Sequence, residues 1–122
     1  MSLEFLVIFQ YHEPEPFRLF GQGEIEEYES STGVYIEAET AEQAHEWGEF
    51  VAGELLRHCN ENRALDWKRF GYPCWVETTP EESPWNHCLD FFQRIQLGQL
   101  PQLDEMDTAA YKSWSAKRHL SD

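Results

Sequence analysis

The stretch that most constrains this chain runs from Thr40 to Cys59, TAEQAHEWGEFVAGELLRHC. At helical spacing Ala44, Trp47, Gly48, Val51, Leu55 and His58 fall on one stripe, with Glu42, Glu46 and Glu49 opposite. Ala52, Leu56 and Cys59 widen the apolar arc on one flank and Phe50 on the other. Thr40 is placed as an N-cap with Gln43 three residues on, the pattern of a capping box. Asn60-Glu61-Asn62 ends the run. The pattern predicts a helix over 41–59, and an arc this wide needs a sheet beneath it and C-terminal helices beside it.

Strand patterns flank it. In LEFLVIFQYH (3–12) Leu3, Phe5, Val7, Phe9 and Tyr11 share a face, and Leu6 and Ile8 make the other face apolar too. A strand apolar on both sides belongs in the middle of a covered sheet. Glu13-Pro14-Glu15-Pro16 stops it, because two prolines remove donors and fix φ. Phe17–Phe20 reads as a short strand, Gly21–Gly23 and Ser30–Gly33 as turns, and residues 24–29 as an exposed strand or acidic loop. Val34, Ile36 and Ala38 alternate with polar neighbours as a half-buried strand. Residues 66–79 read as a strand interrupted at Gly71 and Pro73.

Two more helices are predicted. Ser83-Pro84 has the capping signature for a helix over 84–97, with Trp85, Cys88, Leu89, Phe92 and Ile95 as its stripe. The last helix, about 105–119, begins with acids and ends with Lys117, Arg118 and His119, as the helix dipole favours. With 41% hydrophobic residues in 122, the chain holds enough apolar material for one domain, 1–122. The fold class is α+β: a small mixed or antiparallel sheet of roughly three to five strands, one long helix across a face, and two C-terminal helices.

Charge narrows the partners. The formal charge is −14, and it is lopsided. Residues 1–60 carry thirteen carboxylates against Arg18 and Arg57 alone, a net of −11, whereas residues 61–122 net −3. Such a surface repels phosphate backbones and anionic lipid and suits a basic protein partner. Glu24, Glu26, Glu27 and Glu29 are its densest run and the candidate partner-binding residues. The apolar run Leu3–Phe9 is too short to span a membrane and lacks a basic leader. Three cysteines at 59, 74 and 88, without CxxC spacing, suit reduced thiols. The expectation is a cytoplasmic protein with no nucleic-acid or membrane partner; a homodimer through a sheet edge or the last helix is compatible with it.

The chemistry-bearing residues are scattered. His58-Cys59 and His87-Cys88 are adjacent pairs, and neighbours on a helix point about 100° apart, so neither histidine is set to activate its thiol. No Cys/His spacing matches a zinc site, and no glycine-rich loop precedes a helix, so no metal and no cofactor are expected. The row Glu42, His45, Glu46, Glu49 resembles a carboxylate-bundle ligand pattern, but no second helix completes it, and it reads as a wet face. Three residues remain as catalytic candidates. Glu54 and His58 are four apart on the long helix and spaced to pair, and Cys74 lies in the irregular strand. Trp67, Tyr72, Trp75 and Trp85 are the candidate ligand-binding rings, a wall if they converge and core if they do not.

Two functions compete on this reading. One is a non-enzymatic interaction module, an acidic adaptor, inhibitor or immunity-type protein that binds a basic partner. The other is a small-molecule binding protein or small enzyme with an aromatic-walled pocket.

Overall fold

The computed structural model describes the backbone of residues 2–121 and the side chains of residues 2–118. In chain order the elements are β1 (Leu3–His12), α1 (Pro14–Gly21), β2 (Glu29–Ala38), α2 (Ala41–Cys59), β3 (Cys74–Glu77), β4 (Gln93–Gln96) and α3 (Thr108–Ser121), joined by 3-10 turns. The fold is α+β, built on a four-stranded mixed sheet in the order β3-β1-β2-β4. β1 runs antiparallel to both β2 and β3, and β4 is parallel to β2. Hence β2, β3 and β4 share one direction, and α2 carries the chain from β2 over β1 to β3.

The doubly apolar β1 is central, as its pattern predicts. Val7, Phe9 and Tyr11 join Val34 and Ile36 of β2 on the face that α2 covers. Leu6 and Ile8 join Tyr35 on the other, under Cys88 and Phe92. Because Tyr35 is buried as well, β2 is covered on both sides rather than half-buried. α2 buries Ala44, Gly48, Val51, Ala52, Gly53, Leu55 and Leu56. Each large aliphatic among them stabilises the fold by about 1.5–3 kcal/mol. Gly48 lets the helix approach the sheet: a Cβ there would clash with Cγ1 of Val7 and come within 3.2 Å of its Cβ. The predicted cap is present, with Gln43 N–H donating to Thr40 Oγ1 at 3.2 Å and the Gln43 side chain accepting from Glu39 N–H.

Three local expectations are overturned. Phe17–Phe20 is not a strand but part of α1, because Pro14 and Pro16 sit in the first turn, where a missing N–H costs nothing, and Glu15 pairs with Arg18. Ser30–Gly33 is not a turn but the start of β2, its polar residues held in register against Phe9–Tyr11 and Ile8 of β1. Gly33 is required there by space, since a Cβ would strike Ile8 Cδ1 and sit 2.9 Å from the Val7 carbonyl oxygen. Residues 84–97 are not one helix. Asn86–Phe91 is a 3-10 stretch kinked at Cys88 (φ −136, ψ 24), and Gln93–Gln96 leaves it to pair with Val34–Glu37. Apolar residues three apart serve a 3-10 turn as well as an α-helix, and pairing with the open edge of β2 decides between them.

The last helix starts later than predicted, at Thr108, after a 3-10 turn at Leu103–Glu105. Its Tyr111 and Trp114 pack on the face opposite α2. α2 is therefore not enclosed between the sheet and the C-terminal helices; the 3-10 turns at Trp67–Phe70 and Leu103–Glu105 lie beside it, and Trp47 Nε1 donates to the Gln99 carbonyl at 2.7 Å. The side chain of His119, read as part of the basic last turn, lies outside the described residues. No helix among the described residues is long and apolar enough to cross a membrane.

Candidate functional site

The residues singled out by sequence do not assemble into one catalytic set. Glu54 does not pair with His58. It accepts from Arg57 Nη2 at 3.0 Å and from Arg63 Nη1 at 3.2 Å, and these two guanidiniums hold its carboxyl below the usual range. His58 instead meets Asp104 across the groove between α2 and the 103–105 turn, with Nε2 2.6 Å from Oδ1. A histidine–carboxylate pair is the orienting half of a general base. Here the Asp104 side chain is 86% exposed, so the pair sits in water. The neighbouring Cys59 thiol is pushed up to about 12, mainly by burial.

Cys74, the third catalytic candidate, opens β3 and is half-buried. Burial and then Glu49 push its thiol up to about 12, which keeps it protonated rather than nucleophilic. Its carbonyl oxygen is 2.8 Å from Nε2 of His45. The 42–49 row is thus not wholly a wet face, because His45 leans onto β3. Among the described residues no group of three or more His, Cys, Asp and Glu is gathered to hold a metal ion.

The four candidate rings fall on opposite faces of the sheet. Trp67 and Tyr72 belong to the core under α2, whereas Trp75 and Trp85 pack on the other face with Leu6, Ile8 and Phe92. Trp67 is buried and donates through Nε1 to the Gln10 carbonyl at 2.8 Å, fixing the end of β1. Trp75 Nε1 donates to Glu77 at 3.2 Å. Trp67 and Tyr72 cannot form one wall with Trp75 and Trp85.

What the structure does bring together is an aromatic cluster at the C-terminal end of β1, capped by α1 and the acidic loop. His12, 2% exposed, stacks on Phe17 at 4.2 Å between centroids and meets Phe70 edge-on at 4.9 Å. Its Nδ1 is 2.5 Å from the Tyr72 hydroxyl. Tyr28 bridges outward, 5.2 Å from Phe17 and 4.6 Å from Phe20. Burial lowers the His12 pKa and raises that of Tyr72, so both are neutral and tied to one another.

This cluster reaches the surface as a ridge. Phe17 and Phe20 are 40% and 41% exposed. Glu24, Glu26, Glu27 and Glu29 are exposed alongside, in the segment that Tyr28 pins against α1. The one base on α1, Arg18, is engaged by Glu15 and donates to Gln22 at 3.2 Å. The acidic run was legible in sequence. Phe17 and Phe20 were missed because a strand reading spread them over two faces, whereas a helix turns them, three residues apart, to one side. His12 was missed because the end of a strand carries no periodic signal of its own.

No protein-family model, no curated protein and no solved structure matches the chain.

Proposed function

We propose that this chain is a non-enzymatic interaction module, an acidic adaptor, inhibitor or immunity-type protein, that docks a basic surface of a partner protein. The observation that carries this reading is the Phe17/Phe20 ridge flanked by Glu24, Glu26, Glu27 and Glu29. Exposed rings are efficient anchors, because they bring large area at little entropic cost. Carboxylates around them steer a cationic partner and reject an anionic one. An arginine-bearing surface satisfies both halves, since a guanidinium stacks on a ring face and pairs with a carboxylate.

Calorimetric titration with nona-arginine tests the reading. Changing Glu24, Glu26, Glu27 and Glu29 together to Gln should weaken binding about tenfold or more. A control removing four carboxylates elsewhere, at Glu4, Glu37, Glu42 and Glu46, should change it by no more than about twofold. Equal losses in both variants would reduce the interaction to net charge and remove the proposed face.

A further inference from the structure

Beyond the acidic ridge, the sheet has a gap in its pairing. Gln10 N–H donates to the Pro73 carbonyl at 3.1 Å, which turns the even-numbered residues of β1 toward β3 and the odd-numbered ones toward β2. The register sets Phe9 opposite Thr32 and Tyr11 opposite Ser30. The main-chain N–H and C=O of Ser30, Thr32 and Val34 therefore turn to β1, and those of Ser31, Gly33, Tyr35 and Glu37 to the other edge. β4 pairs along that edge only from Val34 onward. Among the described residues no hydrogen bond meets the Ser31 N–H or C=O there. Against this gap lies a cavity of about 250 Å³, closed over by the kinked 86–91 turn and the start of α3. Trp85, Phe91, Phe92, Met106 and Tyr111 supply most of its wall. Ser31 and His87 also line it and are exposed, so they mark its mouth.

We infer that this cavity binds a planar, uncharged bicyclic aromatic carrying a lactam, whose N–H donates to the Ser31 carbonyl and whose C=O accepts from the Ser31 N–H. In an extended residue the N–H and C=O lie side by side and point the same way. A lactam is an amide held cis by its ring, so it offers the complementary pair on one edge, whereas an open-chain trans amide offers only one member at a time. Size fits this class. A cavity of ~150 Å³ takes up benzene, so this one suits roughly ten heavy atoms, a fused pair of rings. Charge fits it too, because the ionisable groups of both signs are already engaged. Asp107 Oδ1 accepts from Ala110 N–H at 2.8 Å, and Glu13 accepts from the Thr108 hydroxyl. Arg118, whose charge is felt at the Cys88 thiol, donates to the His87 carbonyl at 3.0 Å and lies over the Trp114 ring. Cys88 itself donates to the Trp85 carbonyl at 3.4 Å. That leaves Ser31 and the His87 ring as the polar partners for a ligand, and only the Ser31 main chain presents a donor and an acceptor together.

The test compares 2-quinolone with coumarin, the lactone of the same shape in which a ring oxygen replaces the N–H. Calorimetry on the full chain should give saturable 2-quinolone binding at least about tenfold tighter than coumarin, because the lactone sets an oxygen against the Ser31 carbonyl. Ser31→Pro removes the edge N–H without breaking a bond to β1, and should weaken 2-quinolone at least about tenfold. Ser31→Ala keeps the main chain and should leave binding within about twofold, as should His87→Ala. The wild-type comparison of the two ligands stands even where the Pro variant does not fold. No saturable 2-quinolone binding up to millimolar concentration, coumarin binding as tightly, unchanged binding in a folded Ser31→Pro, or a tenfold loss in either Ala variant would each overturn the proposal. Neither ligand bears charge, so failure here leaves the acidic-ridge reading untouched.

Discussion

Nδ1 of His12 lies 2.5 Å from the hydroxyl of Tyr72, sixty residues along the chain, inside a cage of aromatic rings. The pair joins the end of β1 to the segment before β3 and supports the platform on which α1 and the acidic loop rest. Tyr72→Phe should cost about 1–3 kcal/mol, because it leaves the buried imidazole nitrogen without its partner. Chemical denaturation of the two proteins at pH 7.5 measures it, and a loss under half a kilocalorie (about the noise for surface changes) would mean the bond contributes little.

The same pair makes stability depend on pH with a definite sign. Burial depresses the folded-state pKa of His12 below its ordinary value of 6.5. The unfolded chain then binds the proton more readily, so the His12 contribution is fully present above about pH 6.5 and is lost as pH falls toward the folded pKa. Protonation of the many carboxylates also changes stability, so the comparison must be with a variant. The stability difference between wild type and His12→Phe should shrink steadily from pH 7.5 to pH 5. A difference that stays constant over that window would show that His12 titrates as it does in the unfolded chain.

Gly48 meets Val7 so closely that a methyl group has no room. In an exposed helix Gly→Ala gains about 1 kcal/mol. At this position overpacking costs about 1–3 kcal/mol, and the net effect of Gly48→Ala should be destabilising. Adding Val7→Ala should restore part of the loss, with a coupling of about 0.5 kcal/mol or more in a double-mutant cycle. Simple additivity would place the helix farther from β1 than described.

The three thiols should be inert in the native protein. Cys59 and Cys74 are pushed up to about 12, and burial raises Cys88 too, so little thiolate exists at pH 8. Titration with a chromogenic disulfide should give slow labelling in buffer and three fast equivalents in denaturant. One fast native equivalent at Cys74 would restore it as a nucleophile.

How far the residues alone reach depends on the range of the interaction that decides each element. The bounds and the Thr40 cap of α2 were legible because they are local, but His45, read as wet, leans onto β3, and Phe50 and His58, read into the apolar arc, are exposed. β1 was legible because burial on two faces leaves both alternations apolar. β4 was not, since Gln93–Gln96 carries one buried residue, Ile95, and becomes a strand only because β2 presents a free edge. Ser30–Gly33 failed for the same reason, with turn chemistry outweighed by register against β1. At the site, composition revealed the acidic run but not the rings beside it. Trp67, Tyr72, Trp75 and Trp85 are close in sequence and divided by the sheet, whereas Phe17, Tyr28 and Phe70 are distant in sequence and meet around His12.

The most direct measurement is amide chemical-shift mapping of the wild-type chain with nona-arginine at 50 and 300 mM salt, conditions that change the screening length roughly from 14 to 6 Å. The account predicts perturbations concentrated in residues 15–29, strongly reduced at the higher salt and in a Phe17→Ala/Phe20→Ala variant. Shifts spread evenly over Glu4, Glu37, Glu42, Glu46 and the other surface carboxylates, or unchanged when both phenylalanines are removed, would contradict it.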